Sequence, residues 1–148
     1  RLLLRLATLL HDCGKYISLV NTGETSYQII MATEIIGLSQ QEREIVANVV
    51  RFNHSRFVYD VQRIGSLERE AFLVVAKLTA ILRLASCLDR SHKQKLKGLR
   101  ATLKDGQLIL TVDTQADIVL EKGFVEANAD FFEEVFSVEP VLKQRKIF

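Results

Sequence analysis

The feature that most constrains the fold of this chain is a change in hydrophobic period near residue 97. Up to about residue 88, apolar residues recur at the spacing of an amphipathic helix. From Leu99 onwards they alternate with polar residues, which is the spacing of a strand with one buried face. The sequence therefore predicts a mainly α protein, with a helical domain over residues 1–97 and a small α+β module over residues 98–148.

Apolar residues at helical spacing predict four helices in the first part, at 2–13, 26–36, 39–54 and 67–92. Gly14 is predicted to end the first helix in a left-handed conformation, and a polar loop is predicted over 15–25. Ser39 and Glu42 have the spacing of a capping box, in which each side chain satisfies the other residue's backbone amide. Ser66 is the predicted N-cap of the last and longest helix.

The second part predicts a β-hairpin followed by a helix and an edge strand. Asp105-Gly106 lies between two alternating runs, and both turn residues tolerate positive φ. Pro140 is compatible with an edge strand, where its missing N–H costs no ladder hydrogen bond. The elements expected after the hairpin are a short strand, a helix and an edge strand, at 118–120, 121–136 and 138–143.

The composition is that of a globular chain with one substantial core, because 48% of its 148 residues are hydrophobic. The most apolar run, 72–88, is interrupted by Lys77 and Arg83 and falls short of the ~20 apolar residues of a membrane span. Neither a membrane span nor a signal peptide is therefore predicted. Cys13 and Cys87 form neither a CxxC pattern nor a disulfide framework, which favours a cytoplasmic location.

Charge is divided unevenly along the chain. Residues 1–97 carry 14 Lys/Arg against 9 Asp/Glu, whereas residues 98–148 carry 6 against 9, so the net charges are +5 and −3. The basic excess indicates a polyanionic ligand, with ordinary solvated helix faces as the alternative. Nucleic acid is disfavoured, because the basic residues lack the interleaved aromatic residues of single-strand binding platforms.

The sharpest chemical signal is an adjacent His11 and Asp12, which interrupt an apolar helical stretch two residues before Gly14. A ring nitrogen and a carboxylate oxygen directed at one point can bind a divalent ion such as Mg²⁺ or Mn²⁺. Asp89 is the candidate third ligand, and the bound ion could polarise a phosphoryl group or activate water. The alternative is a structural cluster, in which His11 donates to a carboxylate and Asp89 caps backbone amides or pairs with an arginine.

Basic side chains around the ends of the third and fourth helices are candidate phosphate contacts, because guanidinium groups match phosphate oxygens bidentately. The alternative for the lysines at 93–97 is that they only make this connector soluble and contact no phosphate. His54 is compatible with a metal ligand, but a phosphate contact or a surface residue at a helix C-terminus is favoured. The candidates are Arg51, His54, Arg90, His92 and Lys93.

Several stretches, taken together and in order, resemble a known family. They are Leu9-Leu10-His11-Asp12-Cys13-Gly14, Tyr27-Gln28-Ile29-Ile30, Val49-Val50-Arg51-Phe52-Asn53-His54 and Leu82 to His92. These stretches are similar to the HD-type helical domain and, more narrowly, to the C-terminal half of the exopolyphosphatase and guanosine pentaphosphate phosphatase (Ppx/GppA) family. The resemblance covers about residues 2–92, and the tail resembles the small module that follows in that family.

The resemblance implies an HD-like helical bundle that serves as an accessory domain, contributing polyphosphate binding and a homodimer interface. In the family, catalysis by phosphoanhydride hydrolysis belongs to an N-terminal half. The opening at Arg1, inside a helical pattern, suggests a piece of a longer protein, so the fragment alone is expected to be inactive. Two alternatives stay open: a metal-dependent HD phosphohydrolase using His11, Asp12 and Asp89, and a purely structural dimerisation module.

Overall fold

Residues 1–59, 67–90 and 92–145 are described by the computed structural model of the chain. Within them lie six α-helices, a short 3₁₀ helix and a three-stranded sheet that follows the first four α-helices. This arrangement confirms the predicted class, mainly α with a small α+β module. The chain divides into two compact units, Arg1–Leu82 and Arg83–Phe148, which are considered separately below. The domain limits 1–97 and 98–148 stay a prediction.

The first unit is built around α3, whose residues 44–50 are all buried. Helix α2 packs against α3 and the 3₁₀ helix, and α1 packs against α3. The capping box at the start of α3 is confirmed: Ser39 Oγ accepts from Glu42 N–H at 3.2 Å, and Glu42 Oε2 accepts from Ser39 N–H at 2.9 Å. The elements of this unit are α1 (Leu2–Leu10), the 3₁₀ helix (Cys13–Tyr16), α2 (Thr22–Ala32), α3 (Gln40–His54) and the first part of α4 (Arg69–Leu88).

The predicted loop over 15–25 and the predicted start of the second helix were wrong. The polar loop over 15–25 contains the 3₁₀ helix and the first turn of α2, which begins at Thr22 rather than near residue 26. Thr22 Oγ1 donates to the Ser18 carbonyl oxygen at 3.0 Å. Thr22 was predicted to lie in a turn, but this hydrogen bond stabilises the backbone just before α2. The predicted cap Ser66 and most of residues 55–65, which lie between the third and fourth predicted helices, are outside the described residues.

Helix α4 is the one helix in the described part of the chain that is long and apolar enough to cross a membrane by length and composition alone. Less than half of its most apolar window, 44%, is buried within the protein. The buried core helix of a soluble protein meets the same criterion. Val75, Thr79 and Ala80 are almost completely buried, so one face of α4 belongs to the core.

The second unit contains a sheet of order β1-β2-β3, in which β1 and β2 are antiparallel and β2 and β3 are parallel. The predicted hairpin is confirmed, with Asp105 and Gly106 both at positive φ (51° and 76°). Pro140 lies in the edge strand β3, as predicted. The elements after α4 are β1 (Lys97–Lys104), β2 (Gln107–Asp113), α5 (Val119–Ala127), α6 (Ala129–Phe136) and β3 (Glu139–Arg145).

The segment between β2 and β3 differs from the prediction in two ways. The apolar run 118–120 does not form a strand, because Ile118 is the N-cap of α5 and Val119 and Leu120 are its first residues. Asp117 Oδ1 accepts from Val119 N–H at 2.9 Å, which is an Asx turn that leads into the helix. The predicted single helix over 121–136 is two helices, α5 and α6, separated at Asn128. The Asn128 side-chain amide donates to the Phe124 carbonyl at 2.9 Å and thereby satisfies the end of α5.

Asp113 joins the three strands near one end of the sheet and provides a prediction of pH dependence. It accepts a hydrogen bond from Arg100 on β1 and pairs with Arg145 Nε on β3 at 2.9 Å. The Arg100 hydrogen bond, together with the charges of both arginines, outweighs desolvation and holds the pKa of Asp113 below its ordinary value. A carboxyl group with a lowered pKa stabilises the folded state above its unfolded value, about 4, and this contribution is lost as pH falls through the folded pKa.

We therefore expect acidification to destabilise the wild-type chain more than the Asp113→Asn variant. The measurement is the urea unfolding midpoint at neutral pH and at about pH 3. The difference should be modest, because both arginines are more than half exposed. Equal sensitivity of the two proteins to acid would show that Asp113 makes no ionised contribution to stability.

Candidate functional site

The His-Asp pair lies in a tight turn between α1 and α2 that depends on Gly14. Gly14 is buried, and its N–H donates to Ser26 Oγ at 2.8 Å. A Cβ at this position would lie 2.5 Å from both Ser26 Oγ and the Thr22 carbonyl oxygen. The predicted left-handed conformation of Gly14 was wrong, since it is not among the positive-φ glycines. Glycine is required here because α2 approaches the turn closely.

His11, Asp12 and His54 form a three-residue cluster at this turn. His54 Nε2 donates to the His11 carbonyl oxygen, and His11 Nδ1 donates to the Thr8 carbonyl oxygen at 2.6 Å. The two imidazole rings are parallel, with centroids 6.4 Å apart. The Asp12 carboxylate approaches both rings, with Oδ2 3.5 Å from His11 Nε2 and Oδ1 3.4 Å from His54 Nε2. The sequence placed His54 near a helix end but did not predict this contact.

Lys15 supplies the strongest contact to the Asp12 carboxylate. Its Nζ lies 2.6 Å from Asp12 Oδ2, within the same turn of 3₁₀ helix. Burial raises the pKa of Asp12, but the Lys15 hydrogen bond and the charges of His11, Lys15 and His54 outweigh it. The pKa of Asp12 therefore lies below its ordinary value, and the carboxylate is ionised at neutral pH.

These contacts decide how well the cluster suits a divalent ion. His54 Nε2 and His11 Nδ1 are committed to carbonyl oxygens, and Lys15 covers one oxygen of Asp12. The donors that these contacts leave include His11 Nε2 and Asp12 Oδ1, and the latter has no hydrogen-bond partner among the described residues. No group of three or more His, Cys, Asp and Glu side chains within the described ranges is arranged to hold a metal ion. The donor set within this unit is thus incomplete for Mg²⁺ or Mn²⁺.

A cavity of about 570 Å³ adjoins the cluster, and His54 is common to both. Its wall consists of the first turn of α2 with the residues before it, and the last turn of α3 with the residues after it. Arg51, His54 and Arg56 give this wall three basic side chains. The lining residues are 19–24, 51, 52, 54–56 and 58.

Arg51 is held in the cavity wall by two contacts. Its Nη2 lies 2.8 Å from Glu24 Oε2, and its guanidinium carbon lies 4.9 Å from the centroid of the Tyr27 ring. Both charged side chains are about 30% exposed, so the ion pair is accessible from the solvent. Among the described residues, the Asn21 side chain makes no hydrogen bond to the first turn of α2. The positive end of this 11-residue helix therefore faces the same cavity as the basic side chains.

Close approach of α2 and α3 explains the position of this site. Gly23 lies in the first turn of α2, where a Cβ would be 2.7 Å from the Arg51 carbonyl oxygen and 3.2 Å from His54 Cβ. Any larger residue would separate the helices at the point where Arg51 and His54 meet the α2 N-terminus. Glycine in a helix is otherwise unfavourable by roughly 1 kcal/mol relative to alanine.

The remaining predicted site residues belong to the second unit. Asp89 Oδ1 accepts from Gln94 N–H at 2.9 Å, which is the backbone-capping arrangement considered as the structural alternative. The Arg90 guanidinium carbon lies 5.0 Å from the centroid of the Phe124 ring on α5. His92 and Lys93 are exposed, and His92 has φ +51°. Convergence of Asp89 with His11 and Asp12, and phosphate contacts by the basic residues, stay predictions.

Comparison with known proteins places this chain in a family. The family model described as Ppx/GppA phosphatase, domain III, matches residues 1–130. The chain belongs to the Ppx/GppA family. Domain III is the C-terminal domain of this family, so the resemblance noted from sequence is confirmed. A comparison with curated proteins found no match.

Three features of this Ppx/GppA domain escaped prediction from sequence. Lys15 was not selected from the sequence, although its spacing of three residues from Asp12 suits a local ion pair. The first turn of α2 was predicted to be a loop because Asn21, Thr22 and Gly23 are typical turn residues. Arg56 was not selected from the sequence, and only the cavity associates it with Arg51.

Proposed function

We propose that this chain is the C-terminal accessory domain of a cytoplasmic exopolyphosphatase or guanosine pentaphosphate phosphatase. In this proposal the cavity beside α2 binds phosphate groups of the substrate, the domain takes part in a homodimer, and bond cleavage occurs elsewhere in the parent enzyme. The observation that carries the proposal is the cavity that Arg51, His54 and Arg56 line together with the first turn of α2.

Phosphate oxygens suit this cavity on electrostatic grounds. Two guanidinium groups offer paired N–H donors, and the first turn of α2 contributes partial positive charge. Glu24 competes for Arg51, so an entering phosphate would either replace the carboxylate or bind on the open side of the guanidinium. The position of Arg51 over Tyr27 keeps the guanidinium plane in place during this exchange.

A metal-dependent hydrolase built on His11, Asp12 and Asp89 has less support. Lys15 already provides the positive charge at Asp12 that a bound ion would supply. The Asp89 carboxylate is used to cap the chain after α4. If an Mg²⁺ or Mn²⁺ ion binds, His11 Nε2 and Asp12 Oδ1 are the donors on the first unit that would hold it, and the ion would supply Lewis acidity toward a phosphoryl oxygen.

The test is isothermal titration of the chain with long-chain polyphosphate and with guanosine pentaphosphate. We expect Arg56→Gln to weaken binding about tenfold, equivalent to ~1.4 kcal/mol, because one charge-assisted contact is lost. Glu24→Gln should strengthen binding, because it frees Arg51 from its carboxylate competitor. Affinity of the wild type should fall as salt is added, since ions screen exposed charges.

Arg5→Gln is the matched control, because Arg5 is also an exposed arginine of the first unit but does not line the cavity. It should bind polyphosphate as tightly as the wild type. Equal loss of affinity in Arg5→Gln and Arg56→Gln would indicate attraction by net charge rather than by a site. Absence of binding at low salt would contradict the proposed function.

A further inference from the structure

The free edge of the sheet is exposed along its whole length. All eight residues of β1 are exposed, including Leu99 at 49% and Leu103 at 68%. By contrast, Leu110 and Val112 on the neighbouring strand β2 are buried. In the described part of the chain, β1 pairs with β2 on one side and with no strand on the other. A long, exposed edge strand with apolar side chains is a pairing site for another strand.

The apolar side chains of β1 lie on the same face of the sheet as buried apolar residues of β2 and β3. Leu103 lies opposite Leu108 and Ala101 opposite Leu110, and Leu110 lies opposite Leu142 of β3. Helices α5 and α6 pack on β3, where Leu142 is buried. Directly opposite residues share a face of a sheet, so the buried apolar face of β2 and β3 continues onto β1 without a cover.

The backbone of β1 has hydrogen-bonding groups directed away from β2. In a hairpin with a two-residue turn, the residues next to the turn, Lys104 and Gln107, exchange hydrogen bonds, and the pattern alternates along the strand. The N–H and C=O groups of Leu99, Ala101 and Leu103 therefore point to the free edge. These are also the residues whose side chains form the uncovered apolar row.

We propose that β1 pairs in antiparallel orientation with β1 of a second copy of this chain, across a twofold axis at Ala101. The inference rests on the homodimer of the proposed function and names the surface that forms it. In this register Ala101 faces Ala101 of the second copy, and Leu99 faces Leu103 of the second copy. The two apolar rows then join into one face, and the outward backbone groups of all three residues are paired.

Charge selects this register over its neighbours. With the axis at Ala101, Arg100 faces Thr102 and Lys104 faces Gly98 of the second copy, so no cations are directly opposed. Moving the axis one residue towards the N-terminus sets Arg100 against Arg100, and moving it one residue the other way sets Arg100 against Lys104. Directly opposed like charges destabilise a strand pair. Arg100 is further neutralised by its hydrogen bond to Asp113.

Gly98 limits the length of the paired segment. Its φ of +60° accompanies a bulge between Lys97 and Arg100 in the pairing with β2. Such a bulge increases the local twist and ends regular pairing, so the proposed contact comprises residues 99–103. Lys97 and Lys104 flank this segment and do not interrupt it.

The first experiment measures oligomeric state by light scattering during size-exclusion chromatography, over a range of concentrations. Ala101→Pro removes an outward N–H that β2 does not use, and Leu103→Lys places a charge in the apolar row. We expect the wild type to be a dimer and both variants to be folded monomers with the circular dichroism spectrum of the wild type. The matched control is Leu120→Lys, because Leu120 has the same exposed fraction as Leu103, 68%. This variant should remain a dimer, since Leu120 lies on α5 and not on β1.

The outcomes separate this inference from the rest of the proposed function. A wild type that is monomeric at every concentration would overturn both the homodimer and the β1 pairing, whereas phosphate binding would be unaffected. A dimer that survives Ala101→Pro and Leu103→Lys would leave the homodimer standing and overturn the β1 pairing. If Ala101→Pro does not fold, Leu103→Lys and the cross-linking below still decide the question.

Cross-linking tests the register itself. Paired residues on a twofold axis have Cα atoms about 5.5 Å apart, which suits a disulfide. Ala101→Cys should therefore give a covalent dimer under mild oxidation, whereas Thr102→Cys and the wild type, with its own Cys13 and Cys87, should not. Equal cross-linking of Ala101→Cys and Thr102→Cys would overturn the proposed register.

Discussion

Gly14→Ala is expected to lower the free energy of unfolding by about 3 kcal/mol. The added Cβ would lie 2.5 Å from Ser26 Oγ, 2.5 Å from the Thr22 carbonyl oxygen and 2.6 Å from Ser26 N. Two of these atoms belong to the backbone of α2, so a side-chain rotation cannot relieve the overlap. Overpacking of this kind costs roughly 1–3 kcal/mol, and losing the buried Gly14 N–H to Ser26 Oγ hydrogen bond adds about 1–3 kcal/mol.

The measurement is urea unfolding followed by circular dichroism, with Gly123→Ala as the matched control. Gly123 lies within α5, and nothing lies within 4 Å of the position of an added Cβ. The same substitution should therefore stabilise the chain there by roughly 0.5–1 kcal/mol, because alanine favours helix over the unfolded state. Opposite signs at the two glycines are the expected result. A stable Gly14→Ala variant would show that α2 can move away from the His-Asp turn at little cost.

The Gly14 substitution also bears on function. The atoms that the new Cβ displaces belong to the first turns of α2, and Thr22 lines the cavity proposed to bind phosphate. A folded Gly14→Ala protein should consequently bind polyphosphate more weakly than the wild type, although Gly14 itself does not line the cavity. Gly123→Ala lies in the second unit and should leave this affinity unchanged.

Elements specified by neighbouring residues could be predicted from the sequence. The capping box of α3 requires only Ser39 and Glu42, and the hairpin requires Asp105 and Gly106 between alternating strands. The helical beginning of α5 could not be predicted in this way. Its apolar residues suit a strand, and the deciding interaction is a hydrogen bond from the Val119 backbone to the Asp117 side chain.

The site was predicted only where its residues are adjacent in the chain. His11 and Asp12 were identified as a pair, but the contact with His54 joins residues 43 positions apart. Gly23 shows why the first turn of α2, which forms part of the cavity wall, was predicted to be a loop. Its place in a helix depends on the closeness of the Arg51 carbonyl, which composition and periodicity do not report. At such positions the tertiary contacts, rather than the local propensity of the residue, determine the secondary structure.

The alternating pattern of β1 correctly predicted a strand but implied a buried face that this chain alone does not provide. Leu99 and Leu103 have the spacing of core residues, yet both are exposed. The alternating pattern shows which side chains are apolar. It does not show whether they are buried by the same chain or by another one. This difference between pattern and burial is the basis for assigning β1 to an interface.

Phe57 anchors the segment that closes the cavity, and Phe57→Ala is expected to cost about 3–5 kcal/mol of stability. Phe57 is 5% exposed, and its ring centroid lies 4.8 Å from that of Phe52, 5.2 Å from that of Tyr59 and 5.5 Å from that of Phe72. Residues 55–59 form neither helix nor strand, so packing of this ring, rather than a backbone ladder, holds them in place.

Arg56 and Val58, on either side of Phe57, both line the cavity, so loss of the anchor should also weaken phosphate binding. We expect a folded Phe57→Ala chain to bind polyphosphate less tightly in isothermal titration, whereas Phe57→Leu should retain most of the affinity because it refills most of the volume. Tyr59→Ala is the control: Tyr59 is 56% exposed, so its removal should cost less stability than the removal of Phe57. Weakened binding in Phe57→Ala with an unchanged Tyr59→Ala would tie the affinity to the position of Arg56. Unchanged affinity in a folded Phe57→Ala variant would mean that the 55–59 segment does not contribute to the site.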